Sequence, residues 1–325
     1  MPGETTQPQA ADAFHGWPPP VLDPAGPFAG PVTVLSWVLF VGGLLILLLV
    51  LAALLLALAG RGRLRDALGR ERVVWLGGLA FPVVVLSALL VYGLSLTSDL
   101  TEAPRGGEMR IRVSGEMWWW RVSYLDGAGR EVLQEANELH IPVGRPVLLE
   151  LESPDVIHSF WVPRLGGKLD MIPGRRNILR LQADAPGVYG GQCAEYCGGP
   201  HAFMGFQVVA LPPERFEAWR AARGQVPAAV TEAAFGSGRA VFERAGCGAC
   251  HTIRGTAANG LAGPDLTHVG ARRGLGAGVL PNGRGPMKRW LRDNQELKPG
   301  NRMPAYDMLS DRDLDDVAAW LEALK

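Results

Sequence analysis

Cys193, Cys197, His201 and Met204 fall within GGQCAEYCGGPHAFMG at spacings of four, four and three residues. Thiol, imidazole and thioether groups gathered in this way are metal donors. On a continuous helix they would share a face. Gly198, Gly199 and Pro200 interrupt any such helix, so the spacing predicts a tight loop between two strands that folds around its ligands. His158, in SPDVIHSFWVP at the end of another strand-like run, can close the site from a neighbouring loop. Donor softness points to copper, because a thioether is not an ordinary ligand of structural zinc. Two thiolates can also bridge a pair of metal ions, which spreads the charge change on reduction over both. A Cys193–Cys197 disulfide in an oxidising compartment and a zinc site are the competing readings. The disulfide leaves His158, His201 and Met204 without a role.

Cys247, Cys250 and His251 spell CGACH, the C-x-x-C-H signature of covalent haem attachment. Both thiols then become thioethers and His251 is the proximal iron ligand. All four cysteines are thereby accounted for. Trp118, Trp119 and Trp120 form a strand-like aromatic run whose middle residue faces away from its neighbours.

The elements that must position these groups read as follows. Residues 32–59 carry no charge, and at 1.5 Å per residue they reach roughly 42 Å, beyond a hydrocarbon core of about 30 Å. Residues 73–96 form a second uncharged run, kinked at Pro82, so 32–99 reads as a transmembrane hairpin in the lipid bilayer. Arg61, Arg63, Arg65, Arg70 and Arg72 crowd the loop between the runs, whereas residues 1–31 hold no Lys or Arg. The positive-inside rule puts that loop in the cytoplasm, and the N-terminal tail (1–31) and everything after the hairpin on the outer side. No basic region precedes the first run as in a cleaved signal peptide, so the first span is expected to direct export itself. Residues 100–215 alternate with period two, as in an antiparallel β-sandwich. Gly224 and Pro227 break a short helical start and mark 216–230 as a linker. Residues 231–325 read as helical and close on a helix capped by Ser310, with Leu314, Val317, Ala318 and Leu321 on its inner face. His15 and His140 need no ligand role. Lys plus Arg and Asp plus Glu balance at 32 each, so no global field argues for a nucleic-acid partner.

CAEYCGGPHAFM with the upstream DVIHSFWVP resembles the binuclear copper (CuA) motif of cytochrome-c oxidase subunit II, and the hairpin followed by a sandwich is similar to that family over roughly residues 30–215. The resemblance implies a cupredoxin-like sandwich in which Cys193 and Cys197 bridge the coppers while His158, His201 and Met204 complete the coordination. It further implies that Glu195 gives its backbone carbonyl to copper and its side chain to a magnesium shared with subunit I. The family's aromatic cluster makes Trp118 the candidate point of electron arrival, although Trp at the middle position departs from the usual pattern. Residues 232–325 resemble a class I cytochrome c, all-α, in which a late methionine is the sixth iron ligand. Met303 of Met303-Pro304 takes that place ahead of Met308, Met287 and the rival His268, and the Pro264 carbonyl orients His251. A His/Met pair raises the reduction potential and suits a relay.

The resemblance implies a subunit of a haem-copper cytochrome-c oxidase in a bacterial plasma membrane, with both redox domains on the periplasmic side. It would relay electrons from fused or external cytochrome c to the oxygen-reducing subunit I, with subunit III as a further partner. A dicopper subunit of a nitric oxide reductase and a free-standing membrane-anchored carrier are the alternatives.

Overall fold

The structure, a computed structural model, describes residues 20–59, 62–100 and 107–325. The expectations placed on residues 1–19, including His15, and on Arg61 lie outside the described residues. The chain divides into two compact units, residues 30–103 and the rest.

In the first unit α1 (Gly30–Ala59) and the continuous segment Glu71–Ser98 are long and apolar enough to cross a membrane, with mean hydropathies of 3.2 and 2.3. A helix satisfies its own backbone polar groups, which is what an apolar segment requires in lipid. The Ser36 hydroxyl is absorbed in the same way, donating to the Val32 carbonyl at 2.8 Å. The irregularity expected at Pro82 lies one turn earlier, where Leu76–Ala80 is π-helical before α2 (Phe81–Leu100) resumes. Proline lacks the N–H owed to the preceding turn and its ring crowds that turn's carbonyl. A wider turn relieves both conflicts.

The second unit begins with a sandwich of two five-stranded sheets. One has the order β3 (Glu131–Ala136), β2 (Trp119–Leu125), β1 (Met109–Glu116), β5 (Val147–Glu152), β8 (Asn177–Leu181). The other runs β4 (Glu138–Pro142), β10 (Gly205–Leu211), β9 (Gly187–Cys193), β6 (His158–Trp161), β7 (Leu169–Met171). All neighbours are antiparallel except β1 with β5 and β4 with β10. Period-two alternation turns Ile111, Val113, Trp120 and Val122 inward, where they meet Leu139, Phe160 and Phe206 from the facing sheet. The chain just before α1 also packs on the sandwich, since Ala25 donates to the Arg164 carbonyl and accepts from Asp184 N–H.

The helical start expected before Gly224 is α3 (Pro213–Arg223), and it packs on the sandwich. Phe216 is fully buried in the sandwich core, and Trp219 lies flat on His140 with centroids 4.2 Å apart. An apolar pair three residues apart makes one helix face, and that face covers the edge strand β4. The chain then builds a second core from α4 (Gly236–Arg244), α5 (Arg284–Leu297) and α6 (Asp311–Ala323). The Ser310 hydroxyl accepts from Asp313 N–H at 3.1 Å, the expected cap, and Leu314, Val317, Ala318 and Leu321 are buried as predicted.

Buried charges join the two cores. Glu135, 2% exposed, sits 2.8 Å from Arg223 and 3.8 Å from Arg272. Glu138 accepts the Arg273 N–H, and burial pushes its carboxyl from 4.5 up to about 7. A carboxyl more easily protonated when folded stabilises the fold fully below its unfolded value, and that contribution is lost as pH rises through the folded one. Resistance to denaturant is therefore expected to fall by about 3 kcal/mol between pH 4.5 and 7 from this group. Glu138→Gln should flatten the profile over that window, and an identical profile in the variant would exclude Glu138 as its origin.

Candidate functional site

The sulfur and imidazole donors meet where β6, β9 and β10 end. Phe160 of β6 pairs with Cys193 of β9, which brings His158 beside that cysteine. Cys193 N–H donates to the Met204 carbonyl at 3.1 Å, closing the intervening loop on itself. Inside the loop Gly198 has φ +113°, a conformation that L side chains rarely adopt, and a Cβ there would press on the Trp118 ring at 3.0 Å. A tight turn at Gly199–Phe203 then folds His201 back.

Six donors converge as a result. The Cys193 and Cys197 sulfurs lie 3.8 Å apart, well beyond the roughly 2.05 Å of a cystine bond. His158 Nδ1 is 3.9 Å from Cys193 Sγ, and the Glu195 carbonyl is 3.2 Å from the same sulfur. His201 Nδ1 and Met204 Sδ lie 3.5 Å and 3.7 Å from Cys197 Sγ. His158, Cys193 and Cys197 are buried, and their ligand atoms lie within 4.8 Å of one another, close enough that they could hold a metal ion. The hydrogen bond between the thiols lowers the Cys193 pKa, with help from His158, and raises that of Cys197, which burial raises further. One sulfur is thus held ready as a thiolate, the form that binds metal. Two sulfurs, two imidazoles, a thioether and a carbonyl make a donor set that fits copper.

Asp155 is absent from the residues expected from the sequence. Its Oδ1 accepts from His158 Nε2–H at 2.9 Å, which leaves Nδ1 directed at the sulfurs. The only prior signal for it is a carboxylate three residues before the histidine. Among the tryptophans, Trp118 Nε1 donates to the Cys197 carbonyl at 2.8 Å. Trp120 is core, and Trp119 turns to the other side, where the Arg121 guanidinium lies 4.7 Å from its ring centre.

In the helical module, Cys247, Cys250, His251 and Met303 line one cavity of about 480 Å³, within the usual range for a bound organic cofactor. His251 Nδ1–H donates to the Pro264 carbonyl at 2.8 Å, as expected, so the free nitrogen is Nε2. Burial lowers the His251 pKa and so favours the neutral ring, the form that can bind a metal. The ring lies against Gly263, where a Cβ would stand 2.5 Å from Cε1. This cradle, with two thiols beside it, fits a haem. Met303 is anchored through its backbone, its N–H donating to Asn301 at 2.9 Å and its carbonyl accepting from Gln295 at 2.6 Å. Met308 is 73% exposed, and Met287 also reaches the cavity but belongs to the apolar core. His268 Nε2 faces the Arg223 and Gln225 carbonyls and does not line the cavity. Trp118 and Met117 of the sandwich form part of the same cavity wall.

Comparison with known proteins follows this division. The model for the periplasmic domain of cytochrome c oxidase subunit II matches residues 123–211, and that for cytochrome c matches residues 236–325. The chain is 39% identical over 245 residues to cytochrome c oxidase subunit 2 of Alkalihalophilus pseudofirmus, covering 75% of this chain and 70% of that one. It is 30% identical over 270 residues to the same subunit of Bacillus sp. strain PS3, covering 78% and 74%. A solved periplasmic domain of cytochrome oxidase subunit II from Bradyrhizobium japonicum is 29% identical over 37% of this chain and 95% of that one, with a TM-score of 0.34.

Proposed function

Since the chain belongs to the cytochrome c oxidase subunit 2 family, we propose that His158, Cys193, Cys197, His201, Met204 and the Glu195 carbonyl hold its dinuclear copper, and that Cys247, Cys250, His251 and Met303 hold its haem. The chain is the electron-transfer subunit of an oxidase complex, carries a cytochrome c domain, and serves an oxygen-reducing subunit I. When bound, the copper pair and the haem iron supply the one-electron chemistry. The protein's share is to hold the donors still. Asp155 and Pro264 each take one ring N–H of a ligand histidine and so fix which nitrogen is presented. Trp118 touches both sites, through the Cys197 carbonyl and through the cavity wall, and is the residue by which the electron reaches copper.

Further parts of the reading concern the surroundings. Both apolar helices span the bacterial plasma membrane with the arginine-rich loop inside and both redox modules in the periplasm. The modules divide as 32–99, 100–215 and 231–325, with 216–230 as a packed strut. The Glu195 carboxylate meets a magnesium at the subunit I contact, and subunit III completes the assembly.

The observation that carries the assignment is the pair of unbridged sulfurs 3.8 Å apart within a ring of soft donors. Metal and haem analysis with optical spectra on the detergent-purified complex tests it. A copper pair and one covalent haem per chain are expected, and zinc or a cystine at Cys193 and Cys197 would overturn it. Trp118→Ala should slow electron uptake by copper on the order of tenfold with metal content unchanged. Unaltered uptake kinetics would remove Trp118 from the route.

A further inference from the structure

Lys298 follows α5 and precedes Met303 by five residues. Lysine ordinarily keeps its ammonium in water, yet Lys298 is only 3% exposed. Its Nζ donates to the carbonyls of Trp118 and Phe203, both at 2.7 Å, and of Gly276 at 2.9 Å. Three N–H donors thus meet three acceptors, which is the full capacity of an ammonium. Two of the acceptors belong to the sandwich. Trp118 is the residue whose indole holds the Cys197 carbonyl, and Phe203 directly precedes Met204. The third acceptor, Gly276, lies in the helical module and lines the haem cavity.

The loop behind Lys298 is stiff. The Asn301 amide donates to the Lys298 carbonyl at 2.9 Å and to the Asn294 carbonyl at 3.0 Å, while its oxygen accepts from Met303 N–H. Arg302 on this loop lies 3.9 Å from Asp155, the carboxylate that holds His158. A single loop therefore grips the copper site on one side and carries the expected iron ligand on the other. An ammonium removed from water is strongly disfavoured unless its partners are in place. Separating the modules would strip Lys298 of two of its three partners, so the contact favours one fixed arrangement.

We propose that Lys298 is a positioning residue for the relay, tying the haem cavity to the copper loop through the Trp118 and Phe203 carbonyls so that transfer between the modules needs no docking motion. This rests on the copper and haem assignments above. Lys298 reaches the wall of the haem cavity but is a donor to neither metal centre, and its effect is on the distance and order between them.

The test uses the full complex in detergent, with the covalent haem reduced by one electron from a photoexcited ruthenium complex that a sacrificial amine donor regenerates, and copper followed optically. In the wild-type protein the transfer rate should not change as sucrose raises the solvent viscosity. In Lys298→Met the rate should fall on the order of tenfold and become viscosity-dependent, with the haem spectrum and copper resonance unaltered. A wild-type rate that declines in proportion to viscosity would overturn the proposal without any variant. A Lys298→Met rate equal to wild type would overturn it as well. Absence of the copper or haem signals from the wild-type complex would instead strike at the site assignments.

Discussion

Replacement of Cys197 by serine is expected to abolish copper binding while the covalent haem stays intact. Cys197 Sγ lies within 4 Å of the other sulfur, the His201 imidazole and the Met204 thioether, so it joins Cys193 to the other half of the ring. A hydroxyl is a harder donor and keeps its proton at neutral pH, so it can neither bridge two coppers nor balance their charge. The fold should tolerate the exchange, since one buried hydroxyl replacing a thiol costs about 1–3 kcal/mol. Copper per haem in the purified complex should drop to background, and oxygen consumption with it. Copper retained at the wild-type ratio would mean that the ligands lie elsewhere.

Trp120→Ala should produce the largest loss of stability. The indole is fully buried, packs edge-on to Phe160 at 6.0 Å and closely on Phe206 at 4.7 Å, and lies 6.4 Å from the His158 ring. Its Nε1 also donates to the Met204 carbonyl at 3.3 Å. Truncation of a core tryptophan costs on the order of 3–5 kcal/mol. Here the space it leaves opens beside His158 and Met204, two of the proposed copper donors, so stability and metal retention should fall together. Thermal unfolding followed at the copper absorption would show both, with an earlier transition and copper lost before the helical module melts. A transition at the wild-type temperature would show that the sandwich does not depend on this ring.

The donors were legible in the sequence for a local reason. Cys193, Cys197, His201 and Met204 share one loop and CGACH is contiguous, so residue type and spacing alone suggest the chemistry. His158 required one further step, because its proximity depends on β6 lying against β9. Alternation of side chains along β2 separates Trp119 from the buried Trp120, while Trp118, just before the strand, lines the same cavity as Trp119. What escaped the sequence is what depends on distant partners. Lys298 meets Trp118 across 180 positions, and a lone lysine in a polar stretch looks like any solvated residue. Glu135 and Arg223 have the same character, since neither motif nor periodicity marks a buried ion pair. Gly224 and Pro227 truthfully announced the end of a helix, but not that Phe216 and Trp219 had already found the sandwich. The π-turn before Pro82 was hidden because a uniformly apolar run carries no mark of how wide each turn is.

The way α3 lies along β4 also determines where this polypeptide can be cut. A fragment ending at Leu211 would keep every proposed copper donor, yet its outermost strand would present unpaired backbone and a bare imidazole face, an invitation to strand-to-strand clumping. Carrying the boundary past Arg223 retains the tryptophan lid and the guanidinium that neutralises Glu135. The smallest excisable copper module therefore stops after this helix.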